Sequence, residues 1–352
     1  MEYRTMKKQY NQIAIVGRFT IVHLGHERLV REAAKRLNPG GTLTVLIGSA
    51  GHYPSPKHPL PFFDRSEMIH LVDVPELIEK NITLEVKPVY DFLYTPQAWT
   101  MQVQRHMSKD CALLGHKKPD GSSDWVDEDF PDTDYIEVPD TTKINATQIR
   151  KRIYDVGLCP PLHVSDEVYK YVTALISREA FKSASSEYQA NRVADQKFRT
   201  HPYPDNINSL CADAVVECKG YILLGKRKGD VGFNTWALPG GHKDKGETLQ
   251  NTALRELNEE TNIKVPPTVL RKSIVASNVF DNPGRSETID EKITQAFHII
   301  LDNETKLPKV RAADDLQEVK WFRLCDIKRM SQTGMIFADH AEIIHHFTGA
   351  LV

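Results

Sequence analysis

The sequence predicts two consecutive α/β domains, and three observations carry that prediction. Strand-like and helix-like segments alternate through the first half, the pattern of a parallel sheet with helices on both faces. A polar stretch with a Pro-rich end at residues 184–205 then interrupts the alternation. Beyond it the strand-like segments pair as in a mixed sheet, with one acidic helix to pack upon it. The 352 residues suffice for about two domains of roughly 150 residues each. The expected boundaries are residues 1–183 for the first domain, 184–205 for a linker, and 206–352 for the second.

In chain order, Ile13–Val16 is a short apolar strand, followed by a loop and a helix from Gly25 to Leu37. Thr42–Ile47 reads as a strand, Arg65–Val72 as a helix and Ile82–Val89 as a strand. Trp99–Met107 reads as a helix and Cys111–Leu114 as a buried strand. Helices are expected at Asn145–Tyr154 and Ser165–Phe181. In the second half Cys211–Glu217 and Tyr221–Gly225 form a hairpin, and Ile293–Leu301 alternates as a further strand.

Composition narrows the setting. The net charge of −2 gives no global attraction to nucleic acid or membranes. No apolar run is long enough to span a bilayer, and no apolar leader precedes the first strand. Cys111, Cys159, Cys211, Cys218 and Cys325 are odd in number and scattered, as expected of reduced thiols in a cytoplasmic protein. No nucleic-acid or membrane partner is expected, and a homo-oligomer is left open.

The most informative stretch is Gly241–Ile263. Thr248 to Glu260 contains good helix formers and neither Pro nor Gly, so it is expected to be helical. Glu256, Glu259 and Glu260 then stand at i, i+3 and i+4 on one face, with Leu249, Ala253 and Leu257 beside them as an apolar stripe. Crowded carboxylates repel one another unless a cation sits between them, and hard oxygen ligands suit Mg²⁺ or Mn²⁺. A solvated acidic helix face would explain the glutamates alone. It would not explain why Leu238-Pro239-Gly240-Gly241, Glu247 and Arg255 precede them at fixed offsets.

These residues resemble the Nudix box, Gly-x5-Glu-x7-Arg-Glu-apolar-x-Glu-Glu. The resemblance implies Glu256, Glu259 and Glu260 as metal ligands together with Gly240, and Glu247 paired with Arg255 as support behind them. The box Gly after the helix is Asn262 here, the residue next best suited to a left-handed helix end. A Nudix domain is an α/β/α sandwich about a mixed sheet.

In the first half, strand Ile13–Val16 runs through Gly17-Arg18-Phe19 to His23-Leu24-Gly25-His26 and into a helix. A helix N-terminus at a strand end favours phosphate, two imidazoles can donate to it, and Gly25 permits close approach. Further on, Ile144-Asn145-Ala146-Thr147-Gln148-Ile149-Arg150 opens a helix with a capping Asn145, a Thr147 within reach of phosphate and the forked donor Arg150. Together these resemble the HxGH and I-S-x-T-x-I-R segments of the nucleotidyltransferase superfamily, whose fold is Rossmann-like. Asp91, Tyr94 and Trp99 resemble the D-x-x-Y-x4-W segment of archaeal-type NMN adenylyltransferases, where the Trp stacks on nicotinamide. Arg65 falls where that family contacts phosphate, and Gly115-His116 where it has a G-H-x-K segment. Thr20-Ile21 stands where the family has Gln-Pro.

The order of domains resembles the bifunctional NMN adenylyltransferase/Nudix hydrolases. That implies ATP, NMN and ADP-ribose as substrates, with His23, His26 and Arg150 serving adenylyl transfer. Val279–Ser286 matches a segment of their Nudix halves, so Phe280 or Trp236 is placed to stack on adenine and Arg285 to hold a phosphate. Asp314, Asp315 and Glu318 are placed to supply a general base. The alternatives are another nucleotidyltransferase substrate for the first domain, or a second domain that senses ADP-ribose without cleaving it.

Overall fold

The computed structural model describes residues 8–117, 121, 123–142, 144–202, 208–302 and 305–350. The chain divides into two compact units. Unit 1 comprises Met1–Ala50 and Leu60–Phe181, and unit 2 comprises Gly51–Pro59 and Lys182–Val352.

Unit 1 is built on strands β1 (Tyr10–Gly17), β2 (Leu37–Ile47), β3 (Thr83–Pro88), β4 (Ala112–Gly115) and β5 (Tyr135–Glu137). They form one sheet in the order β3-β2-β1-β4-β5, every pairing parallel. The connections carry α1 (Leu24–Arg36), α2 (Phe62–His70), α3 (Pro75–Glu79), α4 (Pro96–Arg105) and α5 (Trp125–Asp129). After the sheet come α6 (Ala146–Val156) and α7 (Asp166–Ile176). Ala14, Leu46, Val89, Val103 and Leu113 form a buried cluster against which Trp99 and Trp125 pack. The strand order changes direction between β1 and β4. In such sheets the carboxyl ends of the two strands at the switch open a crevice for ligands.

The predicted helix Ser165–Phe181 is interrupted. α7 stops at Ile176, and a new helix, α8 (Glu179–Arg199), runs through most of the stretch expected as a linker. Ala184 and Glu187 are fully buried on it, which gives this polar sequence a packed face that its composition does not reveal. The last part of the expected linker, residues 203–205, lies outside the described residues. Strand β2 also begins at Leu37, directly after α1, rather than at Thr42.

Unit 2 contains β6 (Asn208–Cys218), β7 (Tyr221–Arg227), β8 (Trp236–Ala237), β9 (Gly240–His242), β10 (Ile274–Phe280), β11 (Glu291–Ile300) and β12 (Leu316–Arg323). The main order is β10-β11-β6-β7-β12, with β8 on β7 and β9 on β6. β11 and β6 pair in parallel while the other pairs are antiparallel, so the sheet is mixed. The helices are α9 (Leu249–Thr261), α10 (Pro267–Lys272), α11 (Ile327–Gln332) and α12 (His340–Thr348). Leu254 and Leu257 of α9 join Ala214, Val216, Leu223 and Ile299 of the sheet in one buried core. That packing fixes the face α9 turns away from the core.

None of the five cysteines is in a disulfide. Among the described residues no helix is long and apolar enough to cross a membrane.

Two candidate active sites

In unit 1 the loop leaving β1 is set by its backbone. Phe19 takes a left-handed φ of 47° and buries its ring, which lies 4.8 Å from that of His26. A side chain at Gly17 would place its Cβ 3.0 Å from the Phe19 ring, so the turn suits glycine there. His23 caps α1, its Nδ1 accepting a 3.2 Å hydrogen bond from the amide of Gly25. That bond leaves Nε2 as the protonated nitrogen, and hence a donor. The His23 and His26 rings stack at 3.8 Å. Burial lowers the His23 pKa to about 4, so the ring is neutral at physiological pH.

Arg150 on α6 is buried beside this loop. Its Nη1 donates to Thr20 Oγ1 at 2.6 Å, and its Nη2 to Thr147 Oγ1 at 3.3 Å. Asn145 caps α6 by accepting from the Thr147 amide at 2.7 Å. Thr20, one of the two departures from the family pattern, therefore shares with Thr147 in orienting Arg150. His116 follows β4 and hydrogen-bonds through Nδ1 to the Val138 carbonyl. Its neighbour Gly115 lies where a Cβ would stand 3.0 Å from the Tyr135 hydroxyl.

Arg65 differs from its expected role. It is 1% exposed, and its guanidinium donates to the carbonyls of Arg18, Gly48 and Ser49 at 2.7–2.9 Å. It fastens the loops after β1 and β2 instead of presenting a free fork to phosphate. Burial lowers its pKa to about 10, partly offset by Asp91, which is exposed. Tyr94 is half-buried, as is Trp99, which meets Trp125 edge-on at 5.2 Å.

In unit 2, α9 is capped by Thr248, whose side chain accepts from the Asn251 amide, and closed by Asn262 in the left-handed conformation at φ 44°. Arg255 is the hub of the acidic cluster. Its Nη2 lies 2.9 Å from Glu247 Oε1, and its Nη1 lies 2.8 Å from Glu256 Oε1 and 3.0 Å from Glu259 Oε2. Glu247 also accepts from the Asp244 amide and the Thr252 hydroxyl. With Arg255 as the leading cause, these bonds hold its carboxyl down at about 2. Glu260 lies apart from Arg255 and accepts from the Gly240 amide at 3.1 Å. Burial, reinforced by the charges of Glu256 and Asp213, pushes it up to about 8, and burial also raises Glu256.

Gly240 is sterically required by the backbone it faces, and a side chain at Gly241 would displace the Glu256 carboxylate. A Cβ on Gly241 would lie 2.4 Å from Glu256 Oε1, and one on Gly240 would lie 2.2 Å from Asp213 Oδ1 and 2.5 Å from the Ala212 carbonyl oxygen. Asp213, buried on β6 and bonded to Thr294 Oγ1 at 2.6 Å, is a further carboxylate at this site that sequence reasoning missed. Its only signal is an acid inside an apolar strand. The loop before β12 is tied to the end of α9 by the amides of Arg311 and Ala313, which donate to the carbonyls of Thr261 and Glu260. Asp314 follows in a left-handed conformation, close enough to raise the Glu256 pKa.

Phe280, Trp236 and Arg285 are not displayed as the sequence suggests. Phe280 is 2% exposed and packs edge-on against His346 and Phe347. Trp236 is likewise buried, against Phe322. Arg285 makes a bidentate pair with the buried Asp339 at 2.9 and 3.1 Å. All three are used within the fold.

The donor set suits a divalent cation. Glu256 and Glu260 are carboxylates whose charge is disfavoured by burial and by each other, and a hard cation relieves both.

A cytidylyltransferase-like family model matches residues 14–152, and a NUDIX domain model matches residues 210–347. The chain thus joins a nucleotidyltransferase-type domain to a NUDIX domain. Along 97% of its length it is similar to two crystal structures of a bifunctional NMN adenylyltransferase/ADP ribose pyrophosphatase from Francisella tularensis, covering 99% of each. Identities are 27% and 28%, and the TM-score is 0.84 for both; one of the two is complexed with AMP and a Mn ion. An ADP-ribose pyrophosphatase of Methanocaldococcus jannaschii is 27% identical over 152 residues, 43% of this chain and 78% of that protein. Both domains are thus present in the order found in that bifunctional protein.

A cation held through Glu260 would bind in a pH-dependent way. A carboxyl with a pKa of about 8 is mostly protonated at pH 7 and must lose that proton to ligate. Apparent divalent-cation affinity should therefore rise with pH and level off above about 8. Calorimetry at pH 7 in buffers of different ionisation enthalpy should detect about one proton released per binding event, and none in Glu260→Gln.

Proposed function

We propose that the chain is a bifunctional enzyme of NAD metabolism. Unit 1 transfers the adenylyl group of ATP to NMN, giving NAD⁺ and pyrophosphate. Unit 2 hydrolyses ADP-ribose to AMP and ribose 5-phosphate. The observation that carries the reading is that each unit assembles its motif residues at one place, in a chain similar along 97% of its length to a bifunctional protein of that description.

In unit 1 an NMN phosphate oxygen attacks the α-phosphorus of ATP, and the bond to the β-phosphate bridging oxygen breaks. No side-chain nucleophile is needed, so the protein contributes position and charge. His23 suits this role because it is neutral and its Nε2–H is fixed as a donor by the Gly25 amide on the other nitrogen. It can hydrogen-bond a phosphate without surrendering a proton at physiological pH. Arg150 adds a permanent positive charge, aimed by Thr20 and Thr147, against the departing pyrophosphate.

In unit 2, Glu256, Glu259 and Glu260 would hold Mg²⁺, with Mn²⁺ able to replace it. Such an ion supplies positive charge against the pyrophosphate bridge and makes water a better nucleophile. Arg255, anchored by Glu247, keeps Glu256 and Glu259 in place. Gly240 and Gly241 bring the backbone against the carboxylates where a side chain would exclude it. Asp314 is the favoured general base, because the loop pinned to the end of α9 holds it beside Glu256.

Product analysis of the purified chain tests both halves. NMN with ATP and Mg²⁺ should give NAD⁺, and ADP-ribose should give AMP with ribose 5-phosphate. Survival of ADP-ribose would make unit 2 a sensor, and absence of NAD⁺ would require another acceptor for unit 1.

Three substitutions refine the assignment. Glu260→Gln should lower ADP-ribose hydrolysis by roughly 10²-fold or more while leaving NAD⁺ synthesis unchanged. His26→Ala should lower kcat for NAD⁺ synthesis by roughly 10²-fold with little effect on KM for NMN. Thr20→Val removes one bond to the Arg150 fork, and kcat/KM for ATP should fall about tenfold, or about 1.4 kcal/mol. An unchanged rate in Thr20→Val would show that Arg150 does not need Thr20 to hold its place.

A further inference from the structure

Unit 2 contains a second cluster of metal-ligating groups, separate from the acidic helix. We infer that His52, His58 and Glu287 form a binding site for a transition cation of the Zn²⁺ class. One ligand atom from each of the three lies within 4.8 Å of the others. The inference is independent of the substrates assigned above.

The segment carrying the two histidines is constrained by its own sequence. Pro54, Pro56 and Pro59 restrict the backbone, and Ser55 and His58 exchange two backbone hydrogen bonds of 3.2 and 3.0 Å. The two imidazoles are brought to a centroid separation of 4.2 Å, with His58 buried and His52 half-buried. His52 Nδ1 lies 2.8 Å from the Tyr53 carbonyl oxygen. Only a protonated Nδ1 can make that bond, so Nε2 carries the lone pair. A backbone carbonyl on one ring nitrogen that readies the other is the usual support for a metal-binding histidine.

Glu287 is held from both sides. Ser55 Oγ donates to its Oε1 at 2.7 Å, and the Lys57 amide approaches its Oε2 at 3.3 Å. Its loop is closed by Ser286 Oγ on the Asp290 carbonyl at 2.8 Å and by the Ile289 amide on Asp195 at 2.8 Å. A carboxylate has about four acceptor positions, so these two bonds orient it and leave capacity for a cation.

Two imidazoles and one carboxylate suit Zn²⁺ and its neighbours, whereas Mg²⁺ prefers an all-oxygen shell. Tetrahedral Zn²⁺ ligands stand about 3.3 Å apart, so the cluster needs to contract by at most about 1.5 Å. Side-chain rotation at the half-buried His52 and Glu287 can supply that contraction. The fourth position would be left to water. The bound ion would clip residues 52–58 to a loop more than 200 positions further along the chain.

The test uses the untagged full chain carrying Glu256→Gln, Glu259→Gln and Glu260→Gln, which removes the acidic helix as a competing site. After equilibration with Zn²⁺ in millimolar Mg²⁺ and dialysis, elemental analysis should find one Zn²⁺ per chain. Zn²⁺ should also raise Tm relative to chelator, as a ligand of the folded state must. His52→Ala and Glu287→Gln should each weaken Zn²⁺ binding at least tenfold and abolish the Tm shift. Glu287→Gln keeps an oxygen for the Lys57 amide and offers its NH₂ to the Ser55 hydroxyl, which can accept instead of donate, so it carries the test if His52→Ala is unstable in chelator. No retained Zn²⁺, or the same stoichiometry and Tm shift in Glu287→Gln, would overturn the assignment.

Discussion

Glutamates cannot crowd one end of a helix, partly withdrawn from water, unless a cation stands among them. Arg255 is that cation, and the order of the unit 2 site depends on it. One guanidinium meets Glu247, Glu256 and Glu259 within 3.0 Å. Glu247 is therefore held ionised, while Glu260, beyond the reach of Arg255 and buried, is held largely protonated. Acids of identical chemistry are thus divided by position into one held ionised and one held largely protonated.

Unit 1 solves a related problem with two arginines in different roles. Arg65 gives three hydrogen bonds to backbone carbonyls and ties together the loops that leave β1 and β2. Arg150 donates to two hydroxyls, those of Thr20 and Thr147, which carry no charge of their own. Arg285 in unit 2 shows the contrary case: its bidentate pairing with Asp339 makes it a structural element.

The parallel sheet and the mixed sheet set these side chains where they are needed. In unit 1 the histidine loop and the Gly115-His116 turn leave the carboxyl ends of β1 and β4, the strands that flank the switch in strand order. In unit 2 the pairing of β9 with β6 sets Gly240 opposite Asp213, and the packing of Leu254 and Leu257 turns the acidic face of α9 towards the same place. The glycines act here by absence, since a methyl group at either would meet an oxygen at 2.4 Å or less.

What the sequence by itself determined was local. The box helix, its left-handed end at Asn262, the histidine pair at the start of α1, the Asn145 cap and the alternation of strands and helices each depend on residues within a few positions of one another. Propensity and spacing are enough to reveal them. What only the tertiary structure decided was the partner of each long side chain. Arg65 and Arg285 were legible as cations but not as cations already engaged, because all but one of the acceptors named for them lie 16 to 54 positions away, the exception being the Lys292 carbonyl. The burial of Phe280 and Trp236, the presence of Asp213 beneath the box, and the grip of Thr20 on Arg150 belong to the same kind. So does the burial of Ala184 and Glu187 on the helix that runs through residues 184–199. The physical reason is common to all of these. Backbone preferences are set by near neighbours, whereas burial and pairing are set by whichever distant segment the fold brings alongside.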